Sequence, residues 1–263
     1  HRDGTLTNGA TRLSFLPVSA TLSNLAPGTV YHVRSVAVST HGTAVGNTEC
    51  FATLAPGGGT ALEFDGVSQY APGIVPNLPV GNAPYTIEAW IKPDVMNYGG
   101  IVGWGNYHAN NQVNALRLHA GGLHHYWWAN DLTANTAPLT EAWHHVAATF
   151  DGTTRSLHLD GVIVASDRPA GHNVTTSGNF AIGKTVGNEF FDGQIDEVRV
   201  WNLGRTPEEI SRDRNVRLTG TEPGLVAYYR MDEGAGRTLV DATPNANHGL
   251  LVNGPLHVPS TAP

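Results

Sequence analysis

A single cysteine, Cys50, stands in 263 residues, so no internal disulfide framework can staple the chain and its core must be held by packing. Charge is scarce as well: 14% of residues are Asp, Glu, Lys or Arg, with 15 basic against 22 acidic and a formal net charge of −7. No run of Lys or Arg exists, which excludes the basic footprint of a nucleic-acid binder and a polybasic grip on a membrane surface. No apolar stretch approaches the roughly 20 residues of a spanning helix, so membrane insertion is not expected. The chain opens with His1-Arg2-Asp3, lacking an initiator Met and a signal-peptide pattern. A mature product, a processed piece or a fragment would all read this way.

What is abundant is turn chemistry. There are 31 glycines and 16 prolines beside 40% hydrophobic residues, the profile of many short strands joined by tight turns. Residues 1–54 form a first segment. In it Ser19 to Leu25 leads to the turn Ala26-Pro27-Gly28-Thr29, an alternating strand follows from Tyr31 to Val38, and Thr48 to Thr53 closes the segment. Residues 55–60 are a Gly/Pro linker. From Ala61 onward, period-2 patterning recurs for about 140 residues with Asp-Gly or Gly-Gly at the junctions: Tyr85 to Ile91, Leu116 to Ala120, Leu123 to Trp128, His145 to Phe150, Ser156 to Leu159, Val162 to Ala165 and Gly193 to Trp201. One helix is signalled, over about Pro207 to Arg214. Thr206 suits its N-cap, Pro207 its first position, and Glu209 the third residue of a capping box. Residues 215–263 hold a further strand, Leu225 to Met231, and a polar tail.

Five strings carry a resemblance. They are Leu62-Glu63-Phe64-Asp65-Gly66, Tyr85 to Pro93 (YTIEAWIKP), Trp143-His144-His145-Val146-Ala147, Leu157-His158-Leu159-Asp160-Gly161, and Phe191 to Asn202 (FDGQIDEVRVWN) followed by Arg205-Thr206-Pro207-Glu208-Glu209-Ile210. Their order and spacing resemble the bacterial laminin-G-like modules of the concanavalin-A-like group over residues 61–214. That resemblance implies an all-β fold, an antiparallel jelly-roll β-sandwich. In the N-terminal segment, Leu25-x-Pro27-Gly28-Thr29-x-Tyr31 resembles the second half of a fibronectin type III domain, in which the Tyr hydroxyl bonds back to the chain just upstream. The tail resembles the opening of another such module; alternatively it packs back on this one.

Candidate sites follow from residue chemistry. Taking Gly121-Gly122 as a two-residue turn, Leu116, Leu118, Leu123 and Trp127 share one face of the hairpin 116–128. Arg117, His119, His124, Tyr126 and Trp128 share the other. Rings beside hydrogen-bonding groups are what a saccharide needs, since its apolar ring faces stack and its hydroxyls require donors and acceptors; the alternative is an ordinary outer face or a packing surface. The same turn sets His119 directly opposite His124, within reach of a shared metal but with no clear third ligand. The resemblance also implies a calcium site drawing on Asp65, Asp192 and Asp196, calcium favouring clustered carboxylate and carbonyl oxygens. Against this, Asp65 can be read as the Asp-Gly turn and Asp196 as an edge hydrogen bond.

Glycosidases of this fold need paired carboxylates at even strand spacing. Asp192 and Asp196 can share a face, but Glu197 points the other way, and no Gly-x-Ser-x-Gly elbow is present. The expectation is therefore a non-enzymatic binding or adhesion module, extracellular or at the cell surface, with a carbohydrate or cell-surface glycan as partner and no nucleic acid. The alternative is a spacer or self-assembling subunit that contacts other copies of itself through the half-sandwich at the N-terminus. Glycoside hydrolysis stands third.

Overall fold

The structure, a computed structural model, describes residues 22, 25–26, 30–52, 59–176 and 178–262. The strand expected from Ser19 and most of the linker lie outside these residues. In chain order the elements are β1 (Val30–Ser39), β2 (Gly42–Ala52), β3 (Thr60–Asp65), β4 (Ala71–Pro72), β5 (Tyr85–Pro93), β6 (Gly100–Gly105), β7 (Val113–His119), β8 (Gly122–Tyr126) and β9 (Leu132–Asn135). They continue with β10 (His144–Phe150), β11 (Arg155–Leu159), β12 (Val162–Asp167), β13 (Ala181–Ile182), β14 (Asp192–Trp201), α1 (Pro207–Asp213), β15 (Leu225–Tyr229), β16 (Thr238–Leu239), β17 (Gly249–Leu250) and β18 (Leu256–Pro259).

Two antiparallel sheets form the sandwich. The larger runs β12-β11-β10-β5-β14-β3-β18, and the smaller runs β4-β13-β6-β7-β8-β9. Strand β14 organises the larger sheet. One of its edges pairs with β5, while the other pairs with β3 through Asp192–Ile195 and with β15 through Val198–Trp201. The tail thus packs back on the module: β15 completes the edge of β14, and β18 extends β3 from Thr60 to Glu63.

Between the sheets the inward positions alternate as period-2 patterning requires. Ile87, Ile91, Val146, Ala148, Phe150 and Ile195 face Val102, Trp104, Leu116, Leu118, Leu123 and Trp127 in one cluster. Burying each of the Val, Leu, Ile and Phe side chains contributes about 1.5–3 kcal/mol. The two indole N–H groups carried into this layer find partners. The Trp104 indole donates to the Pro79 carbonyl at 2.9 Å, and the Trp127 indole donates to the Tyr85 hydroxyl at 2.7 Å.

Outside the larger sheet, Glu88 is fully buried. The Trp201 indole at 2.5 Å and Arg205 at 3.0 Å both donate to its Oε1, and His145 Nε2 lies 3.2 Å from Oε2. Burial alone would raise this carboxyl, but His145, Arg199 and Arg205 outweigh it and hold it down at about 2. The helix roofs this network. Its capping box is formed as the sequence indicates: Thr206 Oγ1 accepts from the Glu209 amide, and Glu209 Oε2 accepts from the Thr206 amide. Ile210 anchors it to the sheet.

The N-terminal pair β1–β2 forms a two-stranded sheet of its own beside β18, and its Val36, Val38 and Val45 are exposed. The Ala26 amide donates to the Tyr31 hydroxyl at 2.7 Å, the bond expected just upstream of that ring. Among the described residues, no helix is long and apolar enough to cross a membrane.

Candidate ligand face

The hairpin β7–β8 divides its side chains as expected. Leu116, Leu118, Leu123 and Trp127 are buried inward, while Arg117, His119, His124 and Tyr126 face out. Its turn lies one residue earlier than the sequence reading, which shifts the strand pairing by two residues and so keeps every side chain on its expected face. The turn is Ala120-Gly121, so His119 pairs with Gly122, and His124 lies opposite Arg117 instead of His119. Gly122 has joined the strand because β9 closes over it: a Cβ there would stand 2.0 Å from the Ala134 carbonyl oxygen. His119 and His124 are therefore diagonal neighbours, their rings 5.1 Å apart. Among the described residues, no group of three or more His, Cys, Asp or Glu could hold a metal ion.

All five predicted ligand residues come together on the outer surface of the smaller sheet, joined by three aromatic side chains from loops that carry no periodicity. Rings follow one another across the strands. Tyr98 meets His119 at 4.7 Å between centroids, His124 meets Tyr126 at 5.6 Å, Tyr126 meets Trp128 at 5.7 Å, and Trp128 meets His108 at 4.7 Å. Tyr107 lies 6.3 Å from Tyr126 and crosses Gly103, where a Cβ would come 2.7 Å from the Tyr107 hydroxyl.

The surface has a floor and a rim. Arg117, His124 and Tyr126 are buried beneath it; Trp128, His119 and Tyr107 are half-buried, and Tyr98 and His108 are exposed. The Arg117 guanidinium sits 3.8 Å from the Tyr126 ring centroid and pairs with Glu189, so its charge is stacked and neutralised. Burial pushes the Tyr126 hydroxyl up to about 12, leaving it a neutral donor. Burial likewise lowers His124, only partly offset by Asp131, whose Oδ2 is 3.4 Å from Nε2. The imidazole is neutral at pH 7 and can both donate and accept.

Backbone geometry marks the same place. Among the described residues ten non-glycine residues have positive φ, and four of them, His108, Asn111, Trp128 and Ala129, border this surface. Such backbone costs about 1–3 kcal/mol per residue and persists where surrounding structure imposes it. Here the Trp127 amide donates to Asp131 and the Asn111 amide to the Trp128 carbonyl, fastening the turn that presents Trp128.

The three aspartates read as calcium ligands are divided. Asp65 and Asp192 are register partners on β3 and β14. Asp65 Oδ1, however, already accepts the amides of Val67, Ser68 and Gln69, which hold that carboxyl below its usual range against the opposing effect of burial. Asp196 is separated from them. It is buried, accepts from Ser260 Oγ at 2.6 Å and from the Glu197 amide, and burial raises its carboxyl well above the usual range. Asp196 is thus committed to Ser260 and to the Glu197 amide, and the three aspartates do not come together as one group of acidic ligands among the described residues. Glu197 is likewise occupied, pairing with Arg199 and accepting from the Tyr228 hydroxyl.

Residues 65–211 match the laminin-G-like model of the concanavalin A-like lectin/glucanase superfamily, and the chain belongs to that family. Solved structures agree on the fold. A Bacteroides ovatus protein, named for an inferred carbohydrate-binding role, superposes with a TM-score of 0.65 at 22% identity, over 91% of this chain and 71% of that one. A native heptameric SAP-like pentraxin from Limulus polyphemus superposes with a TM-score of 0.53 at 16% identity, over 78% of this chain and 96% of its own. No curated protein matches the sequence significantly.

Proposed function

We propose that this chain is a non-catalytic carbohydrate-binding module of a secreted or cell-surface protein, with the saccharide lying on the outer surface of the smaller sheet. The observation that carries the reading is the continuous band of rings from Tyr98 to His108, set beside neutral hydrogen-bonding side chains. Stacking platforms with adjacent donors and acceptors suit a sugar, and burying the rings on one another fixes them before the ligand arrives. The carbohydrate-binding role for which the B. ovatus protein is named supports the reading. The acidic residues weighed for hydrolysis favour a non-catalytic role: Asp196 is bonded to Ser260 and Glu197 to Arg199 and Tyr228, both away from the band.

Glycan-array screening of the wild type against Trp128→Ala tests this. Specific signals that fall with the variant support the proposal; a folded wild-type protein silent across the array overturns it. A second reading, self-association through the N-terminal hairpin, is favoured by the exposed Val36, Val38 and Val45 on one of its faces. Sedimentation of the wild type and Val38→Glu at rising concentration separates the two.

A further inference from the structure

The ring band does not end at His108. Beyond it the surface drops into an open cleft of about 680 Å³, bounded by Tyr107 and His108 on one side and by His248–Leu250 of the tail on the other. Its size falls in the range of small-ligand sites. The apolar walls include Ile74, which is 79% exposed, and Leu250, which is 50% exposed; both are costly to leave in water and useful against a ligand. One wall is fixed by Asn179, whose amide both donates to and accepts from the backbone of Gly105 at 2.7 and 2.9 Å.

Charge singles the cleft out. Among the described residues no Asp or Glu lines it, and the one Lys or Arg that does is Lys184. The ammonium of Lys184 rests 4.8 Å from the Tyr70 ring centroid and 4.7 Å from that of Phe190. Among the described residues it makes no ion pair within 4 Å, and the single carboxylate of its own hairpin, Glu189, is taken by Arg117 and Thr185. Ring faces position a cation without neutralising it. In a chain of net charge −7, Lys184 is thus a cation held by two rings beside a cleft whose described lining carries no acid. His248 adds a donor: its Nδ1 accepts from the Asp241 amide at 3.1 Å, so the neutral ring carries hydrogen on Nε2.

We infer that this cleft takes an anionic substituent, a carboxylate or a sulfate, of the saccharide held on the ring band, with Lys184 as its counter-charge. The inference rests on the carbohydrate reading and narrows it to acidic glycans. A sugar seated by Trp128 and His108 would extend past Tyr107 to reach Lys184, so at least two residues of a chain would be engaged.

The test uses the full chain and an array carrying oligogalacturonate, alginate, chondroitin sulfate and carrageenan oligosaccharides beside neutral xylo-, arabino- and galacto-oligosaccharides and methyl-esterified oligogalacturonate. Binders are then followed by calorimetry. Acidic glycans are expected to dominate, and K184Q is expected to weaken them at least about tenfold, the loss of one charge-assisted contact. K184R should restore most of the affinity, and added salt should weaken the wild type more than K184Q. The carboxylate and sulfate arms identify the anion. Binding confined to neutral glycans, or acidic binding unchanged in K184Q, overturns the cleft assignment while the carbohydrate reading stands. No binding to any saccharide overturns both.

Discussion

His172 gives the account a stability test that needs no ligand. Its ring stacks on Trp127 at 3.7 Å and 11°, its Nε2 lies 2.8 Å from Asn114 Oδ1, and it is 5% exposed. Burial, aided by the Arg155 charge, lowers its pKa to about 4. An unfolded chain would protonate this ring near its ordinary value of about 6.5. Between those limits the unfolded state binds a proton that the folded state refuses, so the contribution is full above about pH 6.5 and is lost as pH falls toward 4. At pH 5 the loss works out at about 2 kcal/mol for this one group. Buried Asp196, whose carboxyl is raised, has the opposite sign and grows more favourable in acid, so the bare wild-type profile mixes the two. Comparison with His172→Gln cancels that background while keeping a donor for Asn114. Urea unfolding followed by Trp fluorescence at pH 7 and pH 5 should show the wild type losing about 2 kcal/mol more than the variant. Parallel losses would refute the claim that this imidazole is held neutral.

Other perturbations follow from single contacts. Glu88→Gln removes the charge facing Arg205, Arg199 and His145 and should cost about 3 kcal/mol in denaturant unfolding, Asp213 retaining part of the Arg205 pairing. Gly183→Ala demands a Cβ 2.6 Å from the Phe64 ring at a φ of +77° and should cost about 2 kcal/mol or more, read as a lowered urea midpoint. Chelator is expected to leave the melting temperature unchanged, since Asp65 is committed to backbone amides and Asp196 to Ser260. A chelator-dependent drop of several degrees, abolished in Asp192→Asn, would instead place calcium at Asp65 and Asp192.

How much of this was legible in the sequence varies with the kind of signal. The capping box at Thr206 and Glu209 was readable because its partners are local and its geometry obligatory. The inward leucines and Trp127 of β7–β8 were readable because alternation survives even a slip of the turn. The slip itself was not, since what moves Gly122 into the strand is the Ala134 carbonyl of β9, a non-local neighbour. Tyr98, Tyr107 and His108 reach the ring band from loops, where no period announces a direction; a cluster of aromatic residues in turn-rich sequence was the only available hint. The fate of Asp196 depended on Ser260, 64 residues away, and was invisible from the strand alone. Lys184 reads as an ordinary surface lysine until Tyr70 is seen beneath it.

The most direct test of the central claim is calorimetric titration of the best glycan-array ligand into the wild type and into Trp128→Ala, with folding of both verified by circular dichroism. A nucleic-acid base stacked on an aromatic side chain is worth about 1–3 kcal/mol; with a sugar face on Trp128 taken as the same order, the variant should bind about tenfold more weakly while unfolding at nearly the wild-type midpoint. Equal affinities in two folded proteins would mean that the ring band of the smaller sheet is not where the ligand sits.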